Sequence, residues 1–185
     1  METKSVLFAG VGGQGAILTA KVLVNGLMRA GYDVKMSEVH GMSQRGGSVS
    51  SQVRFGEKVY SPFIGRGAAD ILVAFEKMEA VRYAEFLKPG GIAVINDFEM
   101  ASATTAAGLA EYPAGCLEAM EKNFKCLTLK AADIAESLGT SKCMNIVIFG
   151  AMTRALKLDG IDWEEIICGT VPEKFTELNL AAYRA

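Results

Sequence analysis

The spacing of apolar and polar positions changes several times along the chain, and each change marks an element. The run Ser5-Val6-Leu7-Phe8-Ala9 is apolar over the length of a strand and leads into glycines, which predicts a strand buried on both faces. From Ile17 the period becomes helical: Ile17, Ala20, Val24 and Leu27 fall on one face, and Gly31 supplies the break. Residues 33–37 read as a short second strand. Residues 38–47 then lose all period and are polar and glycine-rich, which predicts a long ordered loop of the kind that carries function. Residues 48–55 alternate, with Val49 and Val53 against polar neighbours, and Gly56-Glu57 predicts a hairpin turn into a partner strand at 58–61. Two more buried strands follow at 70–75 and 92–96, with a helix at 78–87 ended by Lys88-Pro89-Gly90-Gly91. Residues 97–113 show no regular pattern. Beyond them the pattern gives a helix at 117–123, a strand at 126–129, helices at 131–138 and 142–157, and two short tail helices split at Pro172. This alternation, with no internal repeat or linker, predicts one α/β domain over residues 1–185. Its sheet is expected to be mainly parallel and flanked by helices, with a β-hairpin insertion after strand two.

Composition narrows the function classes. Half the residues are apolar (50%) and 22% are charged, a globular balance with some apolar surface left to hide against a partner subunit. A net charge of −2 and the lack of any basic run argue against nucleic acid. Cys116, Cys126, Cys143 and Cys168 form no C-x-x-C pair, so neither a zinc ribbon nor an iron–sulfur cluster is signalled, and no metal site is expected. No stretch reaches the roughly 18–20 apolar residues of a membrane span, and no secretory leader pattern is visible, so no membrane partner is expected and the cytoplasm is the expected compartment.

The chemistry concentrates in two stretches. Gly10-Val11-Gly12-Gly13-Gln14-Gly15 matches G-x-G-x-x-G between a predicted strand and a predicted helix. Its glycines permit a sharp turn and close approach of a ligand, and the helix start offers free N–H groups to an anion. The alternatives are a tight turn that binds nothing and a turn that docks against another protein. Glu38 falls near the end of strand two, where a dinucleotide fold takes the ribose hydroxyl. The glycine-rich loop after it stands where that fold would place a helix, which counts against a nicotinamide dehydrogenase. His40 is the single histidine, and no G-x-S-x-G elbow accompanies it, so a structural hydrogen-bonding role stands beside general-base work. Arg45, flanked by Gln44 and by Gly46-Gly47, could clamp phosphate or carboxylate with paired donors, or pair with an acid across a subunit interface.

Together the two stretches carry a resemblance. GVGGQG at 10–15 and SEVHGMSQRGGSVSSQVRFG at 37–56 resemble the small, γ-type subunit of the 2-oxoacid:ferredoxin oxidoreductases. The wording around His40, Gly41, Met42, Gln44, Arg45, Gly46 and Gly47 most resembles the indolepyruvate branch, where the subunit is called β. Further similar stretches lie at 60–62, 69–72, 87–91, Asn145-Ile146 and 171–175, so the resemblance runs nearly end to end. It implies the fold of domain III of pyruvate:ferredoxin oxidoreductase. It also implies a reaction: thiamine-diphosphate-dependent decarboxylation of a 2-oxoacid, with electrons passed through iron–sulfur clusters to ferredoxin and the acyl group to coenzyme A. For the indolepyruvate branch the product would be an arylacetyl-CoA. The resemblance places thiamine diphosphate, magnesium and the clusters in a large α subunit. This chain alone is then expected to bind no cofactor and to be inactive, with coenzyme A as co-substrate of the assembly. No residue of this chain is assigned a catalytic role. Gly10, Gly12, Gly13, Gln14, Gly15, Glu38, His40, Gln44, Arg45, Gly46 and Gly47 are expected to face ligand or partner. Without its partner the chain could pair with itself as a homodimer.

Overall fold

A computed structural model describes residues 2–40, 46–101, 105 and 107–185. Strand β1 (Lys4–Val11) enters the glycine turn and helix α1 (Ala16–Arg29) leaves it. Strands β2 (Asp33–His40), β3 (Ser48–Gly56) and β4 (Ala69–Ala74) follow. Helix α2 (Lys77–Arg82) and strand β5 (Leu87–Asn96) come next, then helix α3 (Cys116–Asn123) and strand β6 (Lys125–Leu129). Helices α4 (Ala131–Ser137), α5 (Met144–Leu156), α6 (Trp163–Thr170) and α7 (Thr176–Arg184) follow, with 3-10 turns at Ser141–Cys143 and Glu173–Phe175.

The strands form a 6-stranded sheet in the order β2-β3-β1-β4-β5-β6. β1, β4, β5 and β6 pair in parallel, while β3 pairs antiparallel to both β1 and β2. Only β3 runs against the rest, so the C-terminal ends of the other strands share one edge of the sheet. The continuous apolar strands have the composition expected when both faces are covered. Val6 and Phe8 of β1 pack into the cluster formed with α1 and α5, and Leu7 and Ala9 point into the opposite cluster with Ala80 and Met120. The first cluster is closed by Trp163, whose ring meets Phe149 edge-on at 5.1 Å and whose indole N–H donates to the Leu158 carbonyl at 2.9 Å.

The hairpin after strand two differs from the sequence expectation. Its arms are β2 and β3, with Glu38 and His40 inside β2 opposite Ser51 and Val49, so the expected loop starts later than residue 38. Residues 58–61 form no strand. Both edges of β3 are already taken, by β2 and β1, so no ladder remains for a further partner. Side chains hold that segment instead. The Arg54 guanidinium donates to the Ser61 carbonyl at 3.1 Å, and Asp33 Oδ2 accepts the Val59 N–H at 2.8 Å. Residues 88–91, expected to stop a helix, lie within β5, and a register irregularity against β4 between Ala69 and Ile71 absorbs them. The expected helix at 78–87 ends early at Arg82 and continues as a 3-10 turn, Ala84–Phe86.

Candidate functional site

The glycine turn sits on the sheet edge where the parallel strands end, the usual ligand edge of an open α/β sheet. Gly15 caps α1 in the left-handed region (φ 85°), with no side chain capping the helix. A Cβ there would stand 2.8 Å from Asn145 Nδ2, so both conformation and space demand glycine. Gly13 is also left-handed and open on its outer side. A Cβ on Gly10 would stand 2.9 Å from Gln14 Oε1, so the turn is folded against its own side chain. Gln14 is directed inward. Its Oε1 accepts the Val11 N–H at 2.8 Å and its Nε2 donates to the Phe75 carbonyl at 3.2 Å, which fastens the turn to the end of β4.

The structure joins the two stretches singled out in the sequence. Gly12 N–H donates to the Gly47 carbonyl at 2.9 Å, and Gly46 N–H donates to the Gly12 carbonyl at 3.4 Å. A cavity of about 380 Å³ opens beside this contact, lined by Gly12, Gly13, Ile17, Glu38 and Val49 among others. It brings together the free end of α1, which attracts an anion, and the exposed Glu38 carboxylate, which takes hydrogen-bond donors. His40 is the last residue of β2, opposite Val49. Its side chain, Gln44 and Arg45 lie outside the described residues.

Sequence reasoning missed a buried acidic network beside this site. Glu76 follows β4 at the same sheet edge; its carboxylate caps α2 by accepting the Glu79 N–H and takes the Tyr112 hydroxyl at 2.6 Å. Tyr112 in turn accepts the Met78 N–H at 2.9 Å. Burial and the neighbouring Glu76 push the Tyr112 phenol well above its ordinary pKa. Glu79 is buried too, and accepts from the Ser48 hydroxyl and, at 2.9 Å, from Arg82 Nε. Burial raises the Glu79 pKa, against the lowering effect of Ser48 and Arg82. Ser48 opens β3, so Glu79 holds the strand at the exit of the 41–47 segment. An acidic residue directly after an apolar strand was the available signal, because that is where α/β sheets carry their chemistry.

The cysteines do not converge. Cys116 and Cys143 are buried, Cys126 is half-buried and Cys168 is exposed, and all are free thiols. Among the described residues, no group of three or more His, Cys, Asp or Glu side chains is placed to hold a metal ion. This donor set does not fit an iron–sulfur cluster, which needs four clustered thiolates.

The sequence of residues 5–185 matches the family model described as pyruvate ferredoxin/flavodoxin oxidoreductase. The chain is 37% identical to the indolepyruvate oxidoreductase subunit IorB of Pyrococcus horikoshii, over 99% of this chain and 94% of that protein. The IorB subunit of Archaeoglobus fulgidus is 36% identical, over 97% of this chain and 92% of that protein. Among solved structures, the γ subunit of a keto/oxoacid ferredoxin oxidoreductase from Geobacter sulfurreducens superposes with a TM-score of 0.71 at 24% identity, covering 98% of this chain and 94% of that one. The likeness shows a shared fold, with a mixed, helix-flanked sheet. The chain belongs to the pyruvate ferredoxin/flavodoxin oxidoreductase family, and its curated relatives are subunits of 2-oxoacid oxidoreductases.

Proposed function

We propose that this chain is the small subunit of a 2-oxoacid:ferredoxin oxidoreductase that converts indolepyruvate or related arylpyruvates to arylacetyl-CoA. The observation that carries the reading is the nearly full-length similarity to IorB subunits, three of which are 36–37% identical over 92–94% of their length and a fourth 30% identical. Relatives named for ketoisovalerate and 2-oxoglutarate are 31% and 32% identical. Thiamine diphosphate, magnesium and the iron–sulfur clusters belong to the large subunit in this reading, in keeping with the dispersed cysteines here. The small subunit would be inactive alone; electrons would reach ferredoxin through the clusters of the large subunit, in a cytoplasmic assembly.

In this reading the site has a role beyond filling space. The cavity between α1 and Glu38 pairs anion-attracting backbone with a carboxylate. A phosphate of coenzyme A, or a carboxylate of the large subunit, fits the helix start. Arg45, from the segment joined to Gly12 through Gly46 and Gly47, would supply the opposing cation.

Anaerobic co-expression with the large subunit tests the reading, followed by ferredoxin reduction assayed with indolepyruvate, other 2-oxoacids and coenzyme A. Turnover only with both chains, highest with arylpyruvates, is the expected result. A chain that finds no partner yet binds a nucleotide alone would replace the subunit reading with that of a free-standing binder.

A further inference from the structure

On the other side of the glycine turn lies a second cleft, of about 400 Å³, between α1 and the helices that close the chain. Its wall is apolar, made by Leu18, Val171, Phe175 and Leu178. Residues far apart in sequence, Asn145 on one side and Val171, Pro172 and Phe175 on the other, meet here.

Asn145 is the polar floor of this cleft. It is buried to 4% exposure, and its carboxamide packs against Gly15, with Nδ2 2.8 Å from the position of a Cβ built there. Two other buried amides on the cleft use their N–H groups inside the fold: Gln14 donates to the Phe75 carbonyl and Asn179 to the Phe175 carbonyl. The Asn145 side chain makes no hydrogen bond to any described residue. None of its polar atoms is sealed from solvent, so the amide is open to the cleft and free to donate to or accept from whatever enters it.

The charges around it select the sign. Lys142 is exposed at the rim and forms no ion pair among the described residues. No acidic residue lines the cleft among the described residues. The nearby start of α1 has no side-chain cap and adds partial positive charge. One lysine and one amide suit a carboxylate better than a phosphate dianion, which takes more donors. The size and apolar lining are those of a small-molecule pocket.

We infer that this cleft binds a small monocarboxylate with an apolar body. The carboxylate sits between Asn145 and Lys142, and the body lies along Leu18, Phe175 and Leu178. The inference is separate from the oxidoreductase reading, because it concerns the chain by itself.

Calorimetric titration of the full chain tests it, with 3-phenylpropionate, hexanoate, 3-phenylpropionamide and inorganic phosphate as probes. Both carboxylates should bind saturably at one site, and the uncharged amide about tenfold more weakly. Lys142→Gln, at an exposed position, should weaken carboxylate binding several-fold. Asn145→Asp keeps the side-chain shape and adds a repelling charge, and should abolish binding. No saturable binding, equal binding of acid and amide, or binding untouched by Lys142→Gln would overturn the inference. So would phosphate that displaces the carboxylates and binds as tightly as they do. If no probe binds and Lys142→Gln instead blocks association with the large subunit, the cleft is a protein interface and the inference fails. Carboxylate binding by a chain that never joins a large subunit would uphold the inference while removing the proposed function.

Discussion

Glu79 shows how a single side chain can set the pH response of the site. Its carboxylate is buried, and burial raises its pKa in the folded state. Between the ordinary glutamate pKa and the raised one, the folded chain holds a proton that the unfolded chain has released. Stability therefore falls as pH rises through that window. Glu79→Gln should flatten this fall while retaining a hydrogen-bonding group for Ser48. Denaturant unfolding of both forms from acid to neutral pH measures it, and parallel curves would show that Glu79 does not titrate there. Gln14 makes a different point at the same scale. The sequence placed it in a ligand-facing motif, but its side chain is consumed in fastening the turn to Phe75. A motif fixes which residue occupies a position and leaves open where its side chain points.

At the scale of elements, the position of α1 was legible because Ile17, Ala20, Val24 and Leu27 repeat at helical spacing. Its contacts were not. Gly26 lies within α1, where exchange to alanine would ordinarily stabilise by about 1 kcal/mol. Here a Cβ would stand 2.2 Å from Trp163 Cζ3 of α6, so the helices meet at this glycine. Gly26→Ala should therefore destabilise, by about 1–3 kcal/mol as overpacking does, and shift the Trp163 fluorescence. A rise in melting temperature would show that α6 yields freely. Strand partners were equally hidden. Alternation in residues 48–55 identified β3 as a strand, but the expected partner at 58–61 is excluded because β1 and β2 occupy both edges of β3.

At the scale of the molecule, the apolar excess read from composition appears partly as exposed side chains. Tyr60 is 85% and Phe63 64% exposed in the segment after β3, and Val39 is 49% exposed on edge strand β2. The isolated chain is expected to self-associate as its concentration rises, and to do so less once joined to a large subunit. Light scattering over a range of concentrations checks this, and a monomer throughout would refute it. Among the described residues, no helix is long and apolar enough to cross a membrane.

The sequence by itself determined the α/β class, the strand-turn-helix at residues 10–15 and the resemblance to the small oxidoreductase subunits, because local periodicity and glycine positions are written in adjacent residues. Tertiary structure alone decided what lies next to what. It paired Gly12 with Gly46 and Gly47, buried Glu76 and Glu79 beside Ser48 and Tyr112, and set Asn145 against Gly15. These contacts join residues from distant parts of the chain, and they form only when both faces of the sheet are covered and its strand order is fixed.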